Sequence, residues 1–213
     1  MTVRRLQTIR HGVTTANIAR ICGSPDDELA ELGRRQAEDA RSRIDGMDLG
    51  RVISSPLPRA IATAMLVTGL TRDELEIGDD CREREFGMLS GLTHDQAVER
   101  YPDVGHIEVQ GVPYSVKPPG GETLPELRER AGRFLHGLHR SHDGEIVTVI
   151  SHGNFIQQLR AAVYGVDERA ALELPLDGIL NLALMRFDFT SDGELSGESV
   201  VQLADTDGVR GLY

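Results

Sequence analysis

Lysine is almost missing from this chain: Lys117 is the single lysine among 23 basic residues, so arginine is the cation used throughout. Most arginines must then be plain surface groups, and only an arginine with a definite placement carries information. Cysteine is equally scarce, with Cys22 and Cys81 the only two. Two cysteines make no disulfide framework, and both are expected as free thiols in a reducing compartment. No run approaches the ~20 apolar residues needed to span a bilayer. The opening stretch also lacks a basic start followed by an uninterrupted apolar run. The chain therefore reads as soluble and cytoplasmic, without a membrane partner. Internal repeats and low-complexity tracts are absent too. The 213 residues, 39% of them hydrophobic, suffice for one domain spanning 1–213. A formal net charge of -11 repels polyanions, so nucleic acid is not an expected partner. Any phosphate this chain binds has to be held by local groups.

What is present is an alternation of strand and helix signals. Residues 3–9 read as a strand, 31–44 as a polar-faced helix and 51–55 as a short strand running into SSPLPRAIATA. There Pro56 and Pro58 mark a turn, and Ile61, Ala64, Met65 and Thr68 recur at helical spacing. A long helix follows PPGGETL, with Leu124, Leu127, Ala131, Phe134, Leu135 and Leu138 on one face. The continuous apolar run 146–150 reads as a fully buried strand, followed by a helix over 154–163 and further strands at 179–187 and 199–204. The pattern predicts an α/β fold, a mostly parallel sheet with helices on both faces. Residues 87–121, rich in Gly, Pro and His with one helical pattern at 94–100, read as a lid or insertion.

The tripeptide Arg10-His11-Gly12 ends the first strand. An imidazole beside a guanidinium at a strand-to-turn junction suits attack on phosphorus while the cation holds phosphate oxygens. Three polar candidates, His11, Arg59 and His152, all fall just past the carboxyl ends of predicted strands, the edge where open α/β sheets bind ligands. A phosphohistidine enzyme needs a nucleophile, donors around three oxygens and an acid for the leaving group. His11 is the candidate nucleophile. Arg10, Arg59 and His152 form the clamp, assisted by the Thr14 hydroxyl and the Asn17 amide. Glu83 is the candidate acid, a carboxyl expected to stay protonated, with Glu85 its competitor two residues on.

Five runs, TIRHGVTTANIARICG, SSPLPRAIATA, REREFGMLSG, PPGGETL and ISHGN, occur in this order. Together they resemble the histidine phosphatase superfamily, in its phosphoglycerate mutase-like branch, over about residues 4–165. The resemblance implies a three-layer α/β/α fold working without metal or organic cofactor. It implies that His11 is phosphorylated, that Arg10, Arg59 and His152 line the phosphate pocket, and that Glu83 moves the proton. Asn17, Arg20 and Gly23 match rim contacts to substrate, and Asn154 of the ISHGN run is a further candidate contact. Val13, Ala16 and Cys22 depart from the residues common in the family at the rim, which bears on substrate identity rather than on chemistry. The mutase members carry a longer insertion with paired arginines, where this chain has only the segment ending near Lys117.

The expected activity is hydrolysis of a small phosphorylated metabolite. A 2,3-bisphosphoglycerate-dependent mutase is the alternative, and a non-catalytic binder of phosphorylated ligands is a third reading. His136, His139 and His142 are a further candidate set, for a metal, but no acidic or cysteine partner completes it in the sequence. The oligomeric state is left open, with a homodimer among the options.

Overall fold

In the computed structural model, which describes residues 1–205, strands and helices alternate as β1 (Arg5–Arg10), α1 (Thr15–Ala19), α2 (Glu31–Ile44), β2 (Arg51–Ser54), α3 (Pro58–Thr68) and β3 (Glu76–Ile77). Then come α4 (His94–Arg100), the hairpin β4 (His106–Val109) and β5 (Val112–Ser115), α5 (Leu124–Ser141), β6 (Ile146–Ser151), α6 (Gly153–Tyr164), α7 (Glu168–Leu172), β7 (Ala183–Phe189) and β8 (Leu195–Gln202). The last eight positions of the expected 1–213 domain lie outside the described residues.

Six strands form one sheet in the order β3-β2-β6-β1-β7-β8. The β3/β2, β2/β6 and β6/β1 pairs are parallel, while β1/β7 and β7/β8 are antiparallel. β6 lies at the centre with every residue buried, which is why its sequence is continuously apolar rather than alternating. Its pleat sends Val147 and Val149 into one core with Leu127, Leu135, Phe155 and Leu159 from α5 and α6. Ile150 points the other way, among Ala37, Ala40, Ala60 and Ala64 from α2 and α3. The result is the expected α/β/α sandwich, with each fully buried Leu, Ile or Phe contributing about 1.5–3 kcal/mol.

Helix starts follow their local chemistry. Thr123 caps α5 and Glu126 reaches back to the cap, so both ends of a capping box are filled and the apolar stripe begins in register. Two boundaries differ from the sequence reading. Residues 176–179 form a 3-10 turn, so β7 starts only at Ala183, and β8 starts at Leu195 rather than near Ser199. The segment 87–121 is more ordered than its composition suggests. It carries α4 and the hairpin, whose turn places Gln110 and Gly111 at positive φ; Leu89, Ala97 and Val104 form a small apolar cluster within it, and Val112 and Tyr114 of the hairpin pack with Leu124 and Leu172.

The strand order positions the site. β2, β6 and β1 are neighbours with parallel register, so their carboxyl ends deliver Ser55, His152 and His11 to one edge of the sheet. α2 closes over the turn after β1. A Cβ on Gly33 would lie 2.0 Å from the Val13 carbonyl oxygen, so only glycine permits this approach.

Candidate active site

His11 follows β1 directly, its backbone N–H donating to the Ser151 carbonyl at 3.0 Å. Its side chain is 3% exposed. Ring Nδ1 lies 2.7 Å from the carbonyl oxygen of Gly12, and a carbonyl can only accept. Nδ1 therefore carries the proton, and Nε2 keeps a free lone pair. Burial, then the positive charges of Arg59 and Arg10, hold the His11 pKa well below 6.5, so the imidazole is neutral at pH 7. The Gly12 peptide is itself fixed, its N–H donating to Thr63 Oγ1 at 3.0 Å.

His152 packs against His11 with ring centroids 5.0 Å apart. It is fully buried, and desolvation followed by Arg59, His11 and Arg10 depresses its pKa as well. Nε2 sits 2.7 Å from Ser55 Oγ, and Nδ1 has no hydrogen-bond partner.

Two buried guanidinium groups flank the histidines. Arg10 donates through Nη1 to the Ile179 carbonyl at 2.7 Å, and burial pushes its pKa down to about 10 against the opposing pull of Glu83. It can lie across the start of α6 because residue 153 is glycine: a Cβ there would stand 3.1 Å from Arg10 Cζ. Arg59, in the first turn of α3, donates to the Ser24 carbonyl at 2.9 Å. Its pKa is lowered by burial, with Glu83 and Asp27 acting the other way.

The carboxylate of Glu83 caps α6. It accepts from the N–H groups of Arg84 at 2.8 Å, Phe155 at 3.2 Å and Asn154 at 3.3 Å. Arg130 anchors the loop that carries it, donating to the carbonyls of Asp80, Arg82 and Glu83 and making a two-pronged pair with Glu122 at 2.8 and 2.6 Å. Glu85 is exposed and pairs with Arg82.

The remaining sequence candidates take different places. Thr14 and Asn17 are buried and fill a capping box around α1, with Thr14 Oγ1 accepting from the Asn17 N–H at 3.1 Å and Asn17 Oδ1 from the Thr14 N–H at 3.2 Å. The capping leaves the Nδ2 half of the Asn17 amide for other uses. Gly23 joins Arg59, Glu83 and Arg84 around the mouth of the site, an open space of ≈ 970 Å³. Arg20, at positive φ after α1, and Asn154 line a neighbouring cavity instead.

Several residues escape the sequence reading. Asn181 Nδ2 donates to the His11 carbonyl at 2.8 Å, placed there by a turn in which Leu182 adopts φ 57. Ser55 and Thr63 hold His152 and Gly12. Thr63 stands one turn past Arg59 on α3, whereas Ser55 lies in the turn between β2 and that helix. The His136, His139 and His142 set does not converge: His139 Nδ1 accepts from the Val3 N–H at 3.2 Å and His142 faces Glu145 at 3.4 Å. Among the described residues no group of three or more His, Cys, Asp or Glu could hold a metal ion.

A neutral imidazole, a second imidazole, two buried guanidinium groups and a carboxylate gather at the carboxyl edge of a parallel sheet in an α/β/α sandwich, a set of groups able to hold phosphoryl oxygens. A profile of the histidine phosphatase superfamily (branch 1) matches residues 6–199, and the chain belongs to that superfamily, whose members are phosphatases or mutases. Phosphoserine phosphatase 1 of Hydrogenobacter thermophilus is 30% identical over 164 residues, 76% of this chain and 77% of its own length. The 2,3-bisphosphoglycerate-dependent phosphoglycerate mutase of Bartonella bacilliformis is 26% identical, covering 93% of this chain and 98% of its own length. Among solved structures, a mycobacterial glucosyl-3-phosphoglycerate phosphatase complexed with vanadate superposes with a TM-score of 0.71 at 27% identity. It covers 92% of this chain and 97% of that one.

Proposed function

We propose that this protein hydrolyses a small phosphomonoester through a phosphohistidine on His11. The observation that carries the reading is the contact of His11 Nδ1 with the Gly12 carbonyl, which leaves Nε2 as a neutral nucleophile inside a ring of cations. Nε2 attacks phosphorus while Arg10, Arg59 and His152 hold the three equatorial oxygens, so the developing charge meets fixed donors. As the P–O bond breaks, Glu83 delivers a proton to the leaving oxygen, a role that requires it to meet the substrate protonated. Water then attacks the phosphohistidine, the Glu83 carboxylate takes its proton, and release of inorganic phosphate restores neutral His11. Guanidinium groups supply the charge that Mg²⁺ supplies in other phosphoryl-transfer sites, so the proposed cycle needs no metal. Residues 87–121 serve in this reading as the cover over the leaving-group side.

Relatives named for phosphoserine and for phosphoglycerates support a small phosphorylated metabolite as substrate. A turnover mixture quenched in alkali should hold acid-labile phosphate on the peptide containing His11, and His11→Ala should abolish turnover. Retention of wild-type activity by His11→Ala would sink the assignment. Release of inorganic phosphate from a metabolite panel separates hydrolysis from the mutase alternative, which would interconvert phosphoglycerates without net release. Activity should persist in a chelator.

A further inference from the structure

His11 can attack through Nε2 only while Nδ1 keeps the ring proton, and the group that holds the proton there is a carbonyl of the adjoining backbone, that of Gly12. The course of the chain over residues 11–13 therefore sets the tautomer of the nucleophile. From one side the cap of α2 fixes it, with the Ala30 N–H donating to the Val13 carbonyl at 2.9 Å. From the other side the peptide joining His11 to Gly12 is gripped at both of its polar groups. Its carbonyl accepts from Asn181 Nδ2 at 2.8 Å, and its N–H donates to Thr63 Oγ1 at 3.0 Å. Thr63 is fully buried and Asn181 is 3% exposed, so water does not compete for either bond.

The two grips come from different elements. Thr63 belongs to α3, one turn beyond Arg59, and its hydroxyl donates its single proton to the Arg59 carbonyl at 2.7 Å. A helical threonine often bonds the preceding turn in this way. Here that bond also turns a lone pair of the same oxygen toward the Gly12 N–H, so one hydroxyl links the backbone of the nucleophile to the turn that carries a guanidinium of the clamp. Asn181 stands in the turn before β7, where the Leu182 N–H donates to the Arg10 carbonyl at 3.0 Å and Gln202 Nε2 donates to the Asn181 carbonyl at 2.7 Å. The His11 carbonyl can only accept, which fixes Nδ2 of Asn181 on its side. The same Nδ2 reaches Asn17 Oδ1 at 3.4 Å, while Asn181 Oδ1 is buried with no hydrogen-bond partner. Leaving that oxygen unpaired costs stability, so stability alone does not account for the placement of this amide.

We propose that Thr63 and Asn181 are positioning residues for the nucleophile: together they orient the His11–Gly12 peptide so that the Gly12 carbonyl keeps the ring proton on Nδ1 and Nε2 is aimed at phosphorus. Both act through His11. The bearing on turnover rests on the phosphohistidine reading. If the peptide turns, Nδ1 loses its acceptor, and a neutral imidazole without that bond also carries its proton on Nε2. In that tautomer the nitrogen facing phosphorus has no lone pair to give.

Nitrogen-15 spectra of the His11 ring test this. Wild-type His11 should be protonated at Nδ1, and Thr63→Val and Asn181→Ala should each give a mixture of tautomers. In Thr63→Val the first-turnover rate with p-nitrophenyl phosphate should fall by about 10²-fold, the scale of a reacting group displaced by about 1 Å. Inhibition by inorganic phosphate should hardly change, because the clamp groups keep their places. Thr63→Ser retains the hydroxyl and should restore the single tautomer and most of the lost rate. Asn181→Ala repeats the test from the other end of the peptide, independently of how Thr63→Val folds. A role in stability alone predicts a lower melting temperature in both variants with tautomer and rate unchanged, and that result overturns the proposal. So does a wild-type ring protonated at Nε2, a measurement that needs no variant, and so does a Thr63→Ser as slow as Thr63→Val. The phosphatase reading fails separately: if the wild type forms no phosphohistidine while the His11 tautomer still shifts in Thr63→Val and Asn181→Ala, that reading falls and the positioning of the ring stands.

Discussion

Ser55 Oγ lies 2.7 Å from Nε2 of His152, and the same oxygen accepts from the Leu57 N–H at 3.3 Å. The oxygen keeps a second lone pair, so the direction of the contact is set by the hydroxyl proton, whose one acceptor among the described residues is His152 Nε2. Nε2 must then be unprotonated, and the proton of neutral His152 sits on Nδ1, the nitrogen free for a phosphate oxygen. The opposite tautomer would strand a buried hydroxyl and point a lone pair at an anion. Nitrogen-15 spectra of the histidine rings should therefore show His152 protonated at Nδ1 in the wild type, and a mixed population in Ser55→Ala. Turnover of Ser55→Ala should fall by about 10²-fold, the scale of one lost transition-state donor. Ser54→Ala is the control, because that hydroxyl is equally buried but bonds to the Ser55 carbonyl and not to His152. An Nε2 proton on wild-type His152 would contradict the arrangement.

Glu83 and Glu85 should separate cleanly by leaving group. Glu83→Gln keeps an acceptor oxygen for the α6 N–H groups but has no proton to deliver, so alkyl phosphates should slow by about 10²–10⁴-fold. Nitrophenolate leaves without a proton. With p-nitrophenyl phosphate the first turnover should survive, and a burst followed by a slow phase should appear because the same carboxylate activates water. Glu85→Gln removes only a surface pair with Arg82 and should leave both substrates nearly unaffected. Equal slowing of both substrates by Glu83→Gln from the first turnover would remove the acid role.

The sheet and its helices were legible because burial imposes periodicity. β6 is apolar end to end, since both its faces are covered, and α5 shows its stripe from Leu124 to Leu138 for the same reason. Arg10, His11, Arg59 and His152 were legible because each stands just after a strand that the pattern marks. The hairpin at 106–115 was hidden: its turn uses Gln110 at φ 55, where asparagine or aspartate would have given the signal. Asn181, Ser55 and Thr63 were hidden for another reason. Their roles are single hydrogen bonds to groups distant in sequence or in another element, and no local pattern encodes the choice of partner. Glu122 belonged to a recognisable run, but its partner Arg130 became visible only in three dimensions.

That pair carries a stability prediction. Arg130 and Glu122 have side chains 4% and 14% exposed, and the Arg130 guanidinium also holds three carbonyls of the loop around Glu83. Glu122→Gln leaves a buried charge without its counterion, which typically costs about 3–5 kcal/mol. Denaturant titration should show a lowered midpoint. Activity lost at temperatures where the variant remains folded would report the displaced Glu83 loop.

Stability should also fall in mild acid, and the two site histidines set the sign. His11 and His152 both have folded pKa values depressed well below 6.5, chiefly by burial and then by Arg59. In the unfolded chain they return to about 6.5, so below that pH the unfolded state binds protons that the folded state refuses. Their contribution is fully present above pH 6.5 and is lost as pH falls toward the folded values. Each histidine adds about 1.4 kcal/mol per pH unit to the slope within that window. Denaturant unfolding at pH 7.5 and at pH 5 measures it. His152→Asn should be less sensitive to the change than the wild type by about one proton's share, whatever its stability at pH 7.5. A wild-type stability that rises on acidification through this window would mean that His152 and His11 are protonated in the fold, and the neutral nucleophile would have to be abandoned.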